Sequence, residues 1–163
     1  MIKRLAAAFL AVLLAAVSLA GCGSGLSGTD NISIKDLQEA MLSADSSLPP
    51  METVCGRDED GQVTFTYLCD FDYDRVEDYF YSYAAEGTAH EIAVVDLKDP
   101  SDAALLMKDL KTHVESRKGT MENYSPDQVE MVENYVLLRK GSCIALIICD
   151  NTGPVQHAFE SFF

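Results

Sequence analysis

The chain has 163 residues, of which 12 are basic and 26 acidic, so its formal net charge is −14. Nucleic-acid binding begins when Lys and Arg neutralise phosphates, so this charge argues against a nucleic-acid partner and against a protein lying flat on anionic lipid. The apolar fraction of 48% is typical of a folded domain and argues against disorder. An acidic surface suits positive partners and also simple solubility.

The N-terminus has the order of parts of a secretory signal peptide. Lys3 and Arg4 precede 15 residues, 5–19, without a charge or a proline, and Leu19-Ala20-Gly21-Cys22 closes this run. A membrane-spanning helix needs about 20 apolar residues, so the run is short for a permanent span. Two alternatives stay open here: a retained anchor helix, and ordinary secretory cleavage that leaves Cys22 as a plain thiol.

The ending 19–22 resembles the lipobox of bacterial lipoproteins. The resemblance implies cleavage between Gly21 and Cys22 and a diacylglyceryl group on Cys22, and two acyl chains are enough for a stable anchor. We therefore expect a signal peptide at 1–21 and a single globular domain at 32–163, anchored at the outer face of the cell membrane. The Gly- and Ser-rich residues 22–31 read as a lipidated flexible tether. Cleavage removes Lys3 and Arg4 and no carboxylate, which changes the charge from −14 to −16.

The first half of the domain is predicted to be mostly helical. A helix over 34–44 has Ser33 as its cap and an apolar stripe. Residues 52–61 are polar and indicate a turn, and 62–68 suit either a strand or a short helix. Asp72 is expected to cap a helix over 73–84, because apolar and aromatic side chains recur there at helical spacing.

The second half contains the predicted strands. Residues 91–97 form a strand that is apolar on both sides, and Asp99-Pro100 opens a long helix to about residue 118. Ser125 begins a capping-box sequence that starts a short helix over 126–133. Strands 135–139 and 143–149 form a hairpin about a turn at 140–142, and 143–149 is wholly apolar and therefore central. A helix over 152–163 closes the chain.

These elements predict an α+β fold. We expect a small, mostly antiparallel sheet of about three strands, 91–97, 135–139 and 143–149, packed with four to five helices.

Four cysteines follow Cys22, and their state is open: Cys55, Cys69, Cys143 and Cys149. Cys143 and Cys149 lie on one predicted strand about 20 Å apart, which argues against a disulfide between them. Either could still bridge to Cys55 or Cys69, although buried free thiols are favoured. No cysteine has zinc-ligand spacing, and we expect neither a metal nor a cofactor.

Few residues point to chemistry. Asp70-x-Asp72-x-Asp74 starts like a calcium loop, but Arg75 and Tyr81 stand where an EF-hand needs Gly and Glu. His90 and Glu91 are neighbours on a strand, so their side chains point to opposite faces and do not share a substrate easily. No motif of a serine hydrolase, a zinc protease or a phosphate-binding loop occurs in the sequence, and no catalytic residue is assigned.

Aromatic residues are concentrated between residues 67 and 83. Tyr79 and Tyr81 fall outside the apolar stripe of the helix predicted over 73–84, so we expect them to be exposed. Exposed tyrosines favour contacts with proteins or sugars, which makes Tyr79 and Tyr81 a candidate contact patch.

The stretch from about 69 to 149 resembles a family of uncharacterised Gram-positive bacterial lipoproteins that carry a domain of unknown function. The resemblance is carried, in order, by the acidic-aromatic segment 72–80, the strand 90–95, the segment 122–128 and the turn at Gly141. It implies no activity and no functional residue.

We therefore expect a lipid-anchored, non-enzymatic binding or interaction module at the cell envelope. It would meet the membrane through the lipid on Cys22 and recognise an envelope protein or a small ligand. The alternatives are a small envelope hydrolase or thiol enzyme, and the solute-binding component of a transport system.

Overall fold

The computed structural model describes residues 32–163, and one antiparallel sheet organises them. Its five strands lie in the order β1-β2-β3-β5-β4 and are Met51–Cys55 (β1), Val76–Ala84 (β2), Glu91–Leu97 (β3), Val136–Lys140 (β4) and Cys143–Ile148 (β5). The helices of the described part are Ile34–Ser43 (α1), Gly61–Leu68 (α2), Ala103–Tyr124 (α3), Val129–Glu133 (α4) and Thr152–Glu160 (α5). The fold is α+β, and the prediction of about three strands is wrong.

The sheet separates two hydrophobic cores. On one face, Val94 of β3 packs in a cluster with Leu37 of α1 and Phe159 of α5. On the other face, Val95 joins a cluster that contains Leu106 of α3. Because successive side chains of a strand alternate between faces, a strand covered on both sides has to be apolar throughout. This confirms the predictions that 91–97 is covered on both faces and that 143–149 is central.

The segment 73–84 is not the predicted helix. Asp72 does act as a cap, since its Oδ1 accepts a hydrogen bond of 3.1 Å from the Asp74 amide, but only a 3-10 turn follows, at Tyr73–Arg75. The chain then continues as strand β2. Three consecutive residues of β2, Tyr79 to Tyr81, are buried, and an amphipathic helix that buries one face cannot achieve this. A strand between two cores can.

Strand β1 occupies part of the predicted polar turn at 52–61. It pairs with β2 at one edge of the sheet, and Thr53 Oγ1 lies 2.7 Å from Ser82 Oγ across the pair. The open assignment at 62–68 resolves as a helix, α2, whose Phe65 and Leu68 enter the core.

The remaining predicted elements are present with shifted ends. α3 continues to Tyr124 because Met121 is buried in the core, and the capping box at 125–128 does not form. Instead, Gln128 Oε1 accepts a hydrogen bond of 2.6 Å from the Ala89 amide. The hairpin turns at Gly141, whose φ of 59° suits glycine. No helix within residues 32–163 has the length and apolarity needed to cross a membrane.

Candidate functional site

A cleft of about 600 Å³ opens beside the first turns of α1, and we call it the α1 cleft. Ligand pockets of proteins measure about 300–1,000 Å³, so this volume suits a small molecule or a short peptide segment. Ile32, which precedes α1, and Ile34, its first residue, contribute to the lining. Cys55 at the end of β1 and Arg57 and Asp58 in the following loop contribute as well. Further lining comes from β2 and from the end of β3, namely Glu77, Asp78 and Asp96.

A tight loop shapes one wall of the α1 cleft. Asp58 Oδ2 accepts a hydrogen bond of 2.6 Å from the Cys55 amide, and the Asp58 amide donates to the Cys55 carbonyl at 3.0 Å. A Cβ atom on Gly56 would lie 2.9 Å from Asp78 Oδ1, and one on Gly61 would lie 2.6 Å from the Cys55 carbonyl oxygen. Close approach of the backbone therefore requires glycine at position 61, whereas at position 56 the nearest atom belongs to the Asp78 side chain.

The lining of the α1 cleft is predominantly acidic. It holds the carboxylates of Asp58, Glu77, Asp78 and Asp96 and the positive groups of Lys35 and Arg57. Arg57 Nε lies 3.1 Å from Asp78 Oδ2, but its side chain is largely exposed, so this pair is weak. Asp96 Oδ1 is buried and has no hydrogen-bond partner in the described residues. The cleft therefore combines an apolar wall with hydrogen-bond acceptors.

The thiol in the α1 cleft is poorly suited to nucleophilic chemistry. Burial raises the pKa of the Cys55 thiol, and the neighbouring Asp58 and Asp78 raise it further. Its Sγ donates to Gln38 Oε1 at 3.5 Å. A reactive cysteine needs a lowered pKa and positive neighbours, whereas the pKa of Cys55 is raised and two of its neighbours are carboxylates.

Burial also raises the pKa of the other three thiols, to about 12 for Cys143 and to about 11 for Cys69 and Cys149. These three thiols and the Cys55 thiol are all free in the structure. β2 and β3 separate Cys55 from Cys143 and Cys149, a distance of about 14 Å, which exceeds the reach of a disulfide. Cys69 lies in the core on the opposite face of the sheet from Cys143 and Cys149. The open question of disulfides is thus answered in favour of free thiols.

A second polar arrangement is buried between β3 and α3, and we call it the Glu91 cluster: Glu91, His113 and Arg117. Glu91 is only 2% exposed. Its Oε2 lies 2.6 Å from His113 Nε2, and its Oε1 lies 2.6 Å from Arg117 Nε. His113 and Arg117 are one helical turn apart, so both reach the same carboxylate. This geometry orients His113 and compensates the buried charge.

His90 and Glu91 do act on opposite sides of the sheet, as expected. His90 Nε2 lies 3.3 Å from Asp150 Oδ2, and its Nδ1 lies 2.9 Å from Thr88 Oγ1. Since Glu91 contacts His113 instead, the neighbours His90 and Glu91 do not form an acid/base pair.

Tyr79 and Tyr81 are not exposed, so the expectation that they form an exposed contact patch is wrong. Tyr79 is 0% and Tyr81 is 6% exposed, since both lie on the central part of β2 beneath the helices. The Tyr79 hydroxyl donates to the Gly61 carbonyl at 2.5 Å. Exposed tyrosines occur elsewhere, at Tyr67 on α2 and Tyr124 at the end of α3.

The remaining site predictions concern lipidation of Cys22 and cleavage at Gly21, and these residues lie outside the described part of the chain. Within residues 32–163, no group of three or more His, Cys, Asp or Glu side chains is arranged to hold a metal ion.

Sequence reasoning missed both the α1 cleft and the Glu91 cluster. The α1 cleft leaves no local signal, because it joins segments far apart in the chain. The Glu91 cluster did leave a local signal. Glu91 begins the otherwise apolar strand 91–95, and a carboxylate there needs positive partners once it is buried.

Comparison with known proteins identifies a family. The model of a domain of unknown function, DUF4358, matches residues 57–149, more than half of the chain. No curated protein and no solved structure matches the chain. The match includes the whole Glu91 cluster and the part of the α1 cleft that follows residue 56. The chain therefore belongs to the DUF4358 family, whose function is unknown.

Proposed function

We propose that this protein is a lipid-anchored lipoprotein of the outer face of the cell membrane, and that its domain is a binding module of the cell envelope. The observation that carries the proposal is the sequence Leu19-Ala20-Gly21-Cys22 at the end of a short apolar run. Such an ending suits lipidation of Cys22, and the Gly- and Ser-rich residues that follow suit a tether.

The α1 cleft supports a binding role. Its volume falls within the range of ligand sites, and its lining offers both apolar contact and hydrogen-bond acceptors. α1, which forms one side of the cleft, begins at Ile34, shortly after the proposed tether ends at residue 31.

Two observations weigh against the alternatives. A thiol enzyme needs a cysteine of lowered pKa, whereas the pKa of each thiol in residues 32–163 is raised by burial. Solute receptors usually consist of two lobes with a cleft between them, whereas residues Asn31–Phe163 form one compact unit.

The anchoring is tested by metabolic labelling of the full-length chain with an alkyne fatty acid, together with membrane fractionation. We expect label and membrane association in the native chain and loss of both in Cys22→Ala. Unlabelled protein released from the cell would contradict lipidation.

The binding role is tested by in-cell crosslinking of the tagged full-length protein, followed by pull-down and mass spectrometry. We expect one envelope partner to recur with the native chain and to be lost with Cys22→Ala. Absence of any enriched partner would contradict a protein-binding role and leave the α1 cleft as a site for a small ligand, to be screened next.

A further inference from the structure

A second, smaller cleft lies between α2 and α3, and we call it the Tyr67 cleft. Its volume is about 240 Å³, below the range of typical ligand pockets and closer to the size of one amino-acid side chain. Tyr67, Asp70, Asp109, His113 and Ser116 are among its lining residues.

An exposed apolar strip borders the Tyr67 cleft. Tyr67 is 70% exposed, and Val63, one helical turn earlier on α2, is 59% exposed. Residues four positions apart share one face of a helix, so both side chains present a common surface to solvent. An exposed tyrosine of this kind offers the face of its ring to a positive group.

The cleft carries uncompensated negative charge. The carboxylates of Asp70 and Asp109 have no ion-pair partner within residues 32–163, and the lining residues in this range include no Lys or Arg. Asp70 and Asp109 both line the cleft together with Cys69, whose thiol has a pKa raised by burial.

His113 connects the cleft to the Glu91 cluster. Its Nε2 is engaged by Glu91 Oε2 at 2.6 Å, and its ring meets that of Tyr81 edge-on at 6.4 Å. Thr112 Oγ1, another lining group, already donates to the Lys108 carbonyl. The cleft therefore offers acceptors and an aromatic face.

We infer that the Tyr67 cleft and the Val63–Tyr67 strip dock a basic segment of a protein partner, with an arginine or lysine side chain entering the cleft. Both side chains carry several N–H donors on a slim apolar stem, which suits a cleft lined by two carboxylates and a tyrosine ring. The inference rests on the proposed function because it gives the chemistry of the partner that a binding module would recognise.

The test measures binding of a fluorescein-labelled hexa-arginine peptide to the full-length chain in detergent by fluorescence anisotropy. An ionic strength of about 0.15 M screens charges more than about 8 Å away, so contacts within the cleft dominate. We expect Asp70→Asn with Asp109→Asn to weaken binding about tenfold. Tyr67→Ala is expected to weaken it about threefold.

Matched controls separate the cleft from the general acidity of the protein. Asp127→Asn with Glu130→Gln removes the same charge from exposed positions that have no ion pair in the described part, and Tyr124→Ala removes a tyrosine that is 83% exposed. These variants should bind the peptide as the native chain does. Equal losses in the cleft and control variants, or no binding by the native chain, would overturn the inference.

Circular dichroism of every variant checks that the fold is retained. The result of this peptide test can be distinguished from the result of the crosslinking test of the proposed function. Peptide binding that depends on the Tyr67 cleft, without an envelope partner in cells, would keep the docking surface and reject the envelope role. An envelope partner captured equally by native and cleft variants would do the reverse.

Discussion

Nε2 of His113 lies 2.6 Å from Oε2 of Glu91, so a hydrogen bond joins helix α3 to the central strand β3 through a carboxylate that is almost fully buried. Arg117 approaches the other oxygen of the same carboxylate. A buried charge with two positive or donating partners is tolerated, whereas removal of its charge leaves the partners without compensation. The Glu91 cluster therefore fixes the position of α3 on the sheet.

Replacing Glu91 by Gln is expected to lower the free energy of unfolding by about 3 kcal/mol, because Arg117 would lose its counter-charge in a largely buried setting. Urea denaturation followed by circular dichroism measures the change. Glu86→Gln is the matched control, since Glu86 is exposed in the turn between β2 and β3 and has no ion pair in the described residues. The control should change stability by less than about 0.5 kcal/mol. A similarly small change in Glu91→Gln would show that the charge of Glu91 contributes nothing to stability.

Tyr79 and Tyr67 allow the same chemical change to be compared in the core and on the surface. Tyr79→Phe removes the hydroxyl that donates to the Gly61 carbonyl, so a buried hydrogen bond between β2 and the first turn of α2 is lost. We expect a loss of about 1–2 kcal/mol in the free energy of unfolding. Tyr67→Phe should have almost no effect, because Tyr67 is 70% exposed. Equal effects in urea denaturation would contradict the burial of Tyr79.

The central strands could be predicted from sequence because their signal is local. Residues 91–97 and 143–149 are apolar on both sides, and this pattern occurs where helices cover both faces of a sheet. β2 was misread because Tyr73, Val76, Phe80 and Tyr83 recur at helical spacing. The correct assignment depends on α1 covering one face and α3 the other, which local spacing does not report.

The edge strand and the clefts depend on long-range contacts. Thr53 of β1 pairs with Ser82, 29 residues later in the chain, and its own neighbourhood is short and polar. The α1 cleft joins residues 32–38 to Asp96, which lie far apart in the sequence. Of the properties of the two clefts, only their acidic character could be predicted from the sequence, because the chain has an excess of carboxylates that suits positive partners.

The buried thiols should make the protein less stable in alkali. The pKa of Cys143 is raised from 9.0 to about 12 by burial, so the unfolded chain releases its thiol proton at lower pH than the native chain does. Between these two values the unfolded state binds fewer protons, and the free energy of unfolding falls as pH rises. The contribution is fully present below about pH 9 and declines by about 1.4 kcal/mol per pH unit above it.

Cys143→Ala tests this dependence through the slope of stability against pH. We expect the variant to lose stability less steeply than the native chain above about pH 9, whatever the packing change costs at neutral pH. Ile147→Val is the matched control, because Ile147 is buried on the same face of β5 and does not titrate. The stability that Ile147→Val loses relative to the native chain should be constant across this pH range. An unchanged slope in Cys143→Ala would contradict a raised thiol pKa.

Two glycines provide opposite predictions for one substitution. Gly141 turns the β4–β5 hairpin with a φ of 59°, a conformation in which a Cβ atom is strained, so Gly141→Ala should lower the free energy of unfolding by about 1–2 kcal/mol. Gly119 lies inside α3, where an added Cβ meets no atom within 4 Å. Gly119→Ala should therefore raise stability by about 1 kcal/mol, because alanine restricts the unfolded chain and favours the helix. Thermal and urea unfolding of both variants measure the signs, and a loss of stability in Gly119→Ala would contradict the extension of α3 beyond residue 118.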